Sequence, residues 1–248
     1  MTSRFGRRQT RAASERNLTY TIVERLGQAI VCGDYNAKTG FPVESALCAE
    51  FDASRSVLRE AVKMLTAKGL LAARPRQGTW VQPEEQWNLL DPDVLRWLLD
   101  RKFSLELLTE LTEVRMAVEP MAAALAARRA QPATLVPIRE ALWRIKAAER
   151  GDDDPVESDI AFHVAVLRAS GNRFFAQLEE LIDSSQRFSV RLTNQFKGVV
   201  LGDYAARKRV LDAVEARDPK KAHAQTEALL REVMDLIVTA GKRNRRRA

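Results

Sequence analysis

Residues Ser54–Leu65, SRSVLREAVKML, place the tightest constraint on how this chain folds. Val57, Leu58, Ala61, Val62 and Leu65 recur at three- and four-residue spacing, which is the period of one apolar helix face. Ser54 stands before the first periodic residue and can accept the orphan N–H groups of a first helical turn. Arg55, Ser56, Arg59 and Lys63 fall on the opposite side. A short helix around CAEF ends a few residues upstream. Two short helices joined this tightly, the second opening on Ser-Arg, form the pattern of a helix-turn-helix. An ordinary amphipathic surface helix would show the same spacing, so the flanking segments decide.

Upstream, Leu18 to Cys32 reads as an amphipathic helix stopping at Gly33, and Pro42 and Glu44 open the next. Downstream, Gly69 ends the arginine-bearing helix as a C-cap would. LLAARP then reads as a strand, RQG as a tight turn and TWVQ as a returning strand. Arg74, Arg76, Gln77 and Gly78 sit at the tip of this hairpin. A basic hairpin beside a recognition helix can reach phosphates or the adjacent minor groove.

Ile30, Gly33, Pro42, Glu44, Ser54-Arg55, Arg59-Glu60-Ala61, Leu65, Gly69, Arg76, Gly78 and Val81 follow one another with compatible spacing. In this run, residues 18 to 82 resemble the winged helix-turn-helix of GntR-type bacterial transcription regulators. The resemblance implies DNA contacts at Ser54, Arg55, Ser56, Arg59, Gln77 and Gly78. It implies a further one at Ser45, a position that is often arginine. The family usually carries Pro-Gly after the first helix. Here the residues are Ala37-Lys38, with the glycine displaced to Gly40.

Charge is distributed in keeping with a nucleic-acid binder. Residues 1–16 carry +4, residues 17–82 carry +2, residues 83–241 carry −4 and residues 242–248 carry +5. A basic half joined to an acidic one is the footprint of a DNA-binding module attached to a module of another kind. The arginine-rich tails, 1–17 and 242–248, are expected to be disordered and to add sequence-independent attraction for phosphates. Cys32 and Cys48 lack metal-ligand spacing and suit a reduced compartment. No apolar run approaches a membrane span, and no secretory signal follows the N-terminal arginines. A cytoplasmic, nucleoid-associated location is therefore expected.

The expected fold class is mainly α: a winged helix-turn-helix over 18–83, a linker over 84–91 and an all-α antiparallel helical bundle over 92–241. The bundle helices are expected near 92–99, 104–128, 132–149, 155–169, 172–195, 203–216 and 219–241, separated by Gly, Pro or Asp clusters. Glu113-Val114-Arg115, Glu119, DIAFH at 159–163, Gly171-Asn172 and VLDAVEARDPKKA resemble the FCD effector-binding domain of the FadR branch. The segment QWNLLDPDVLRWLL resembles sugar-acid-operon repressors of that branch. The resemblance implies a homodimer that binds an inverted-repeat operator in double-stranded DNA.

Several polar groups fall on inward faces. Arg115 lies within the expected stripe Leu105, Leu108, Leu111, Val114, Val118 and Met121. Asp159 lies one turn before His163 on a face with Val156, Ile160 and Leu167. Arg207 falls among Tyr204, Val210, Leu211 and Val214, and Ser185 and Ser189 interrupt Phe175, Leu178, Ile182 and Leu192. Each alone could be a satisfied core group, Arg115 paired with Glu119 for example. Together they suggest a cavity inside the bundle. Many FCD domains bind a metal through the matching Asp and His with two further histidines. Here Arg207 and Leu229 take those two places, which leaves Asp159 and His163 as a weak or absent site for zinc or nickel. No cofactor is required. The surplus expected at the cavity is cationic, which suits a small carboxylate effector resembling an aldonate. The resulting expectation is an effector-released repressor of a sugar-acid or related carboxylate operon. The alternatives are a metal-dependent hydrolase using Asp159 and His163, and a sequence-independent architectural DNA binder.

Overall fold

A computed structural model describes the backbone of residues 4–74, 77–101, 104–195 and 203–245, and side chains within 17–74, 77–101, 104–189 and 203–242. Two compact units divide between Phe103 and Ser104.

The first unit opens with α1 (Arg4–Cys32), followed by α2 (Glu44–Glu50), α3 (Arg55–Ala67), β1 (Leu71–Arg74), β2 (Gly78–Val81) and α4 (Pro92–Arg101). Ile22, Leu26 and Ile30 of α1 are buried in the same unit as Leu47, Leu58, Ala61 and Leu65 of α2 and α3. The strands pair antiparallel with Leu71 opposite Val81 and Arg74 opposite Gly78. The expected wing is therefore present.

Three expectations about the ends of the chain and the extent of the first unit are corrected. First, α1 begins at Arg4 instead of Leu18, so most of the segment read as a disordered tail is helical. Arginine, alanine, glutamine and glutamate are good helix formers, and a helix once nucleated extends at little cost. At the other end of the chain, the last helix runs to Arg245, into the second expected tail.

Second, α4 belongs to the first unit and not to the bundle. Its Trp97 is fully buried, and a methyl group on Gly27 of α1 would come within 2.3 Å of the indole ring. Glu24 accepts from Arg96 at 2.6 Å and from Trp97 Nε1 at 2.9 Å.

Third, residues 84–91 do not form a free linker. They begin with a single turn at Glu84–Gln86. Asn88 N then donates to Lys68 O at 3.0 Å, and Lys68 Nζ bonds Asp91 at 2.7 Å and Asp93 at 2.8 Å. Gly69 has φ +78, and a Cβ there would meet Gln86 O at 2.3 Å. Only glycine suits both the left-handed backbone and this close approach.

The loop after α1 keeps its turn without Pro-Gly. Asn36 Oδ1 accepts from Lys38 N and Thr39 N, and its Nδ2 donates to Gly33 O at 2.8 Å.

The second unit is all α: α5 (Leu105–Arg129), α6 (Pro132–Ala148), α7 (Pro155–Ala169), α8 (Arg173–Ala176), α9 (Glu179–Gln195), α10 (Tyr204–Glu215) and α11 (Pro219–Arg245). The helix expected at 172–195 is thus two helices, and no residue type at Gln177-Leu178 signals the break. Ala123, Ala126, Ile138, Leu142, Phe162, Val210 and Val214 form part of its continuous core. The buried face of α5 is rotated from the one expected. Val114 and Met121 are exposed, whereas Leu108, Leu111, Arg115, Glu119, Ala122 and Ala126 are buried. Alanines on the C-terminal half of α5 allow its neighbours to approach closely. The two ionised residues fall where that face passes the middle of the unit.

Candidate nucleic-acid interface and buried polar cluster

The first unit presents the candidate nucleic-acid interface. Ser54 caps α3, accepting from Val57 N at 3.4 Å, and its Oγ lies 2.9 Å from Ser56 Oγ. The turn before it is closed by Ala53 N donating to Cys48 O, with Asp52 in a left-handed conformation at φ 47. Val57, Leu58, Ala61 and Leu65 are buried, which leaves Ser54, Arg55, Ser56 and Arg59 exposed on one side of α3. Ser45 is exposed on α2. On the wing, the Arg74 guanidinium lies over the Trp80 ring at 5.6 Å, and Gln77 and Gly78 are exposed at the tip. Gly78 has φ +81, which the return of the hairpin requires. Arg76 lies outside the described residues.

The second unit contains the candidate effector site, and it is a closed circuit of side chains. Arg115 Nε donates to Glu119 Oε1 at 2.6 Å. Arg115 Nη1 donates to Gln186 Oε1 at 3.0 Å, and Gln186 Nε2 donates to Asp159 Oδ2 at 3.0 Å. Arg207 Nε donates to Asp159 Oδ1 at 2.9 Å. His163 Nδ1 bonds Glu119 Oε2, and its Nε2 faces Asp159 Oδ1 at 3.8 Å. Four helices meet here: α5 supplies Arg115 and Glu119, α7 supplies Asp159 and His163, α9 supplies Gln186, and α10 supplies Arg207.

Arg115, Glu119, Asp159, His163 and Gln186 are buried, and Arg207 is partly buried with 11% side-chain exposure. Burial opposes ionisation of Glu119, but Arg115 and His163 outweigh it and hold the carboxyl at about 2. Burial likewise opposes ionisation of Asp159, and Arg207 and His163 keep its carboxyl below the ordinary range. An ionised Glu119 can only accept, which makes His163 Nδ1 the donor in the bond between them.

The cluster brings together Arg115, Asp159, His163 and Arg207, as expected from the sequence. Glu119 and Asp159 each pair with one of the two guanidinium groups, so the arginines by themselves leave no cationic surplus. Gln186 is the member that sequence reasoning missed. It stands four residues after Ile182, on the stripe that Ser189 continues. Ser189 Oγ donates to Ser185 O at 2.8 Å within its own helix. Ser185 Oγ is buried with no hydrogen-bond partner among the described residues.

Comparison with known proteins fits both halves. Residues 18–81 match the pattern of bacterial regulatory proteins of the gntR family, and residues 110–232 match the FCD domain. The chain is 34% identical over 227 residues to the galactonate operon transcriptional repressor of Escherichia coli K12, covering 92% of this chain and 96% of that protein. It is 31% identical over 197 residues to the transcriptional regulator LutR of Bacillus subtilis, covering 77% and 88%. A solved structure of Lar, which controls the Listeria monocytogenes agr system, shares the fold with a TM-score of 0.59 at 16% identity, covering 89% and 96%.

Proposed function

This chain belongs to the gntR family of bacterial regulatory proteins, and we propose that it is a homodimeric repressor of a sugar-acid or related carboxylate operon, released from its operator by the acid. That it is a DNA-binding transcription regulator and not an enzyme follows from the family. The hydrolase and architectural alternatives therefore fall. The operon, the effector, the dimer and the roles of individual residues are our reading, as is a cytoplasmic, nucleoid-associated location. Among the described residues no helix is long and apolar enough to cross a membrane.

The observation that carries the proposal is the buried circuit joining Arg115, Gln186, Asp159, Arg207, His163 and Glu119. A core needs no such cluster for stability, since apolar packing of equal volume would serve as well or better. Among the described residues the Arg207 side chain bonds only Asp159, through Nε. Its two Nη groups remain for a carboxylate, which guanidinium binds in a two-pronged manner. The unpartnered hydroxyl of Ser185 suits a hydroxyl of the same ligand, and Ser189 stands beside it. The 34% identical relative named for galactonate points to the same ligand class.

A divalent ion does not fit these residues. The Asp159 oxygen that faces His163 Nε2 accepts from the permanent cation of Arg207, and Arg207 and Leu229 stand at the two positions where further ligands would be needed. We therefore propose that repression requires no metal.

On the DNA side, two copies of α3 would enter successive major grooves through Arg55 and Arg59. Ser45, Ser54, Ser56, Arg74, Gln77 and Gly78 would meet the backbone or the adjacent minor groove, with Arg76 beside them in sequence. Effector shifts the heads only through different affinity for the two states.

A thermal-shift screen of aldonates and uronates tests the proposal. One of these acids should raise the melting temperature of the wild type and release it from its operator. Arg207→Ala should bind operator normally and lose both responses. Absence of any acid response, or a wild-type response in Arg207→Ala, overturns the effector assignment.

A further inference from the structure

Glu44, the first residue of α2, faces both Arg55, which opens α3, and Arg59 one turn later. Arg59 Nε donates to Glu44 Oε2 at 3.0 Å, and Arg55 Nε lies 3.9 Å from Glu44 Oε1. The arginine side chains are 67% and 78% exposed, and Glu44 is 38% exposed. Ion pairs this exposed contribute little to stability. On a surface that must approach phosphates, a carboxylate is also electrostatically unfavourable. Neither stability nor affinity therefore accounts for its position.

Orientation does. An arginine reads a guanine by presenting two N–H groups in one plane to O6 and N7. A free guanidinium on a long side chain rotates among many rotamers and loses that freedom on binding. Here one carboxylate lies against the Nε of both guanidinium groups, which sit one turn apart on the same helix face. The Nη groups are left as the presenting edge, and each Nε faces the carboxylate before DNA arrives. The same negative charge weakens the pull of the pair toward phosphates in general.

The geometry points to Glu44 as a positioning residue for base reading. It orients Arg59, and with it Arg55, and so raises discrimination between operator and other DNA at the expense of non-specific affinity. This inference rests on the reading that Arg55 and Arg59 contact bases.

The test uses the full-length chain and two duplexes at fixed salt: the one it selects from a randomised pool, and a scrambled control. Glu44→Ala should weaken binding to the selected duplex about tenfold, which is the scale of one partly lost paired contact. Binding to the control should strengthen, and its salt dependence should steepen by about one released counterion. Glu44→Gln keeps an acceptor for Arg59 Nε and loses the charge. It should strengthen control binding as alanine does, while retaining most of the affinity for the selected duplex. In an Arg59→Ala background, Glu44→Ala should cost clearly less on the selected duplex than it does alone, because the larger part of its effect runs through Arg59.

Additive losses would overturn the inference, as would an unchanged ratio of selected to control affinity. A loss confined to one base pair, and independent of Arg59, would make Glu44 a direct reader and overturn it too. Arg59→Ala without effect on either duplex would overturn both the inference and the reading of α3 beneath it. Melting curves accompany each variant. If the alanine variant fails to fold, the glutamine variant and its cycle with Arg59→Ala decide.

Discussion

Arg207 Nε donates to Asp159 Oδ1 at 2.9 Å, so a permanent cation occupies the carboxylate that lies one turn from His163. The matching residue in many FCD domains is a histidine that binds metal. Replacing Arg207 by His removes the cation and places a third nitrogen or oxygen donor beside Asp159 and His163. Three protein ligands with one open position suffice for zinc. Arg207→His should therefore bind zinc or nickel stoichiometrically in calorimetry, whereas wild type should hold neither after dialysis against a chelator. A wild-type protein that keeps a stoichiometric metal through that dialysis sinks the claim that arginine replaced the metal.

Glu119 sets a pH dependence. Its carboxyl is held at about 2 in the folded chain against an ordinary value of 4.5. A folded value below the unfolded one adds stability above pH 4.5, and that contribution is lost as pH falls from 4.5 toward 2. Asp159 is shifted in the same direction and adds to the loss. The bundle should thus lose stability steeply over this interval, measured as the urea midpoint of helical circular dichroism. Glu119→Gln should be less stable at neutral pH and flatter below 4.5. Identical acid profiles in variant and wild type would remove Glu119 from this role.

The elements that sequence reveals most clearly here are those with local signals. Ser54 as a cap, the period of Val57, Leu58, Ala61 and Leu65, and the turn at Gly78 are all local, and the recognition helix and wing appear where they are expected. Asp159 and His163, one turn apart, share the buried face of α7 for the same reason. What was not legible depends on partners distant in sequence. The attachment of α4 to α1 is set by Gly27 leaving room for Trp97 and by Glu24 receiving Arg96, more than sixty residues apart. The face of α5 was misjudged because Val114 and Met121 outrank alanine in hydropathy. Close packing at Ala122 and Ala126 decides which side turns inward. Gln186 completes its circuit only through residues on two other helices.

Stability of the DNA-binding unit should depend on α4. Val94, Leu95, Trp97 and Leu98 are all buried to within 3% exposure. Burying a large apolar side chain contributes about 1.5–3 kcal/mol. A fragment of residues 1–103 should therefore melt cooperatively and well above a fragment of residues 1–83, which exposes the surface that α4 covers. Within the full chain, Trp97→Ala should cost about 3–5 kcal/mol. Gly27→Ala should also destabilise, because its methyl would lie 2.3 Å from the indole. Equal melting temperatures for the two fragments would return α4 to the bundle.

The basic ends of the chain should act on every DNA sequence alike. Residues 1–16 carry +4 and residues 242–248 carry +5, and arginine dominates both. Phosphate contacts fix position and carry no sequence information, and each one lost lowers the salt slope of log K by about 0.9. Deleting either end should weaken operator and random duplex by similar factors, flatten both salt slopes and leave their ratio near its original value. Deletion of residues 1–16 also removes the first turns of α1, so its melting curve must match wild type before the affinities are compared. Should deletion erase operator preference while random-duplex binding survives, these arginines read sequence, and the division of labour between α3 and the basic ends is wrong.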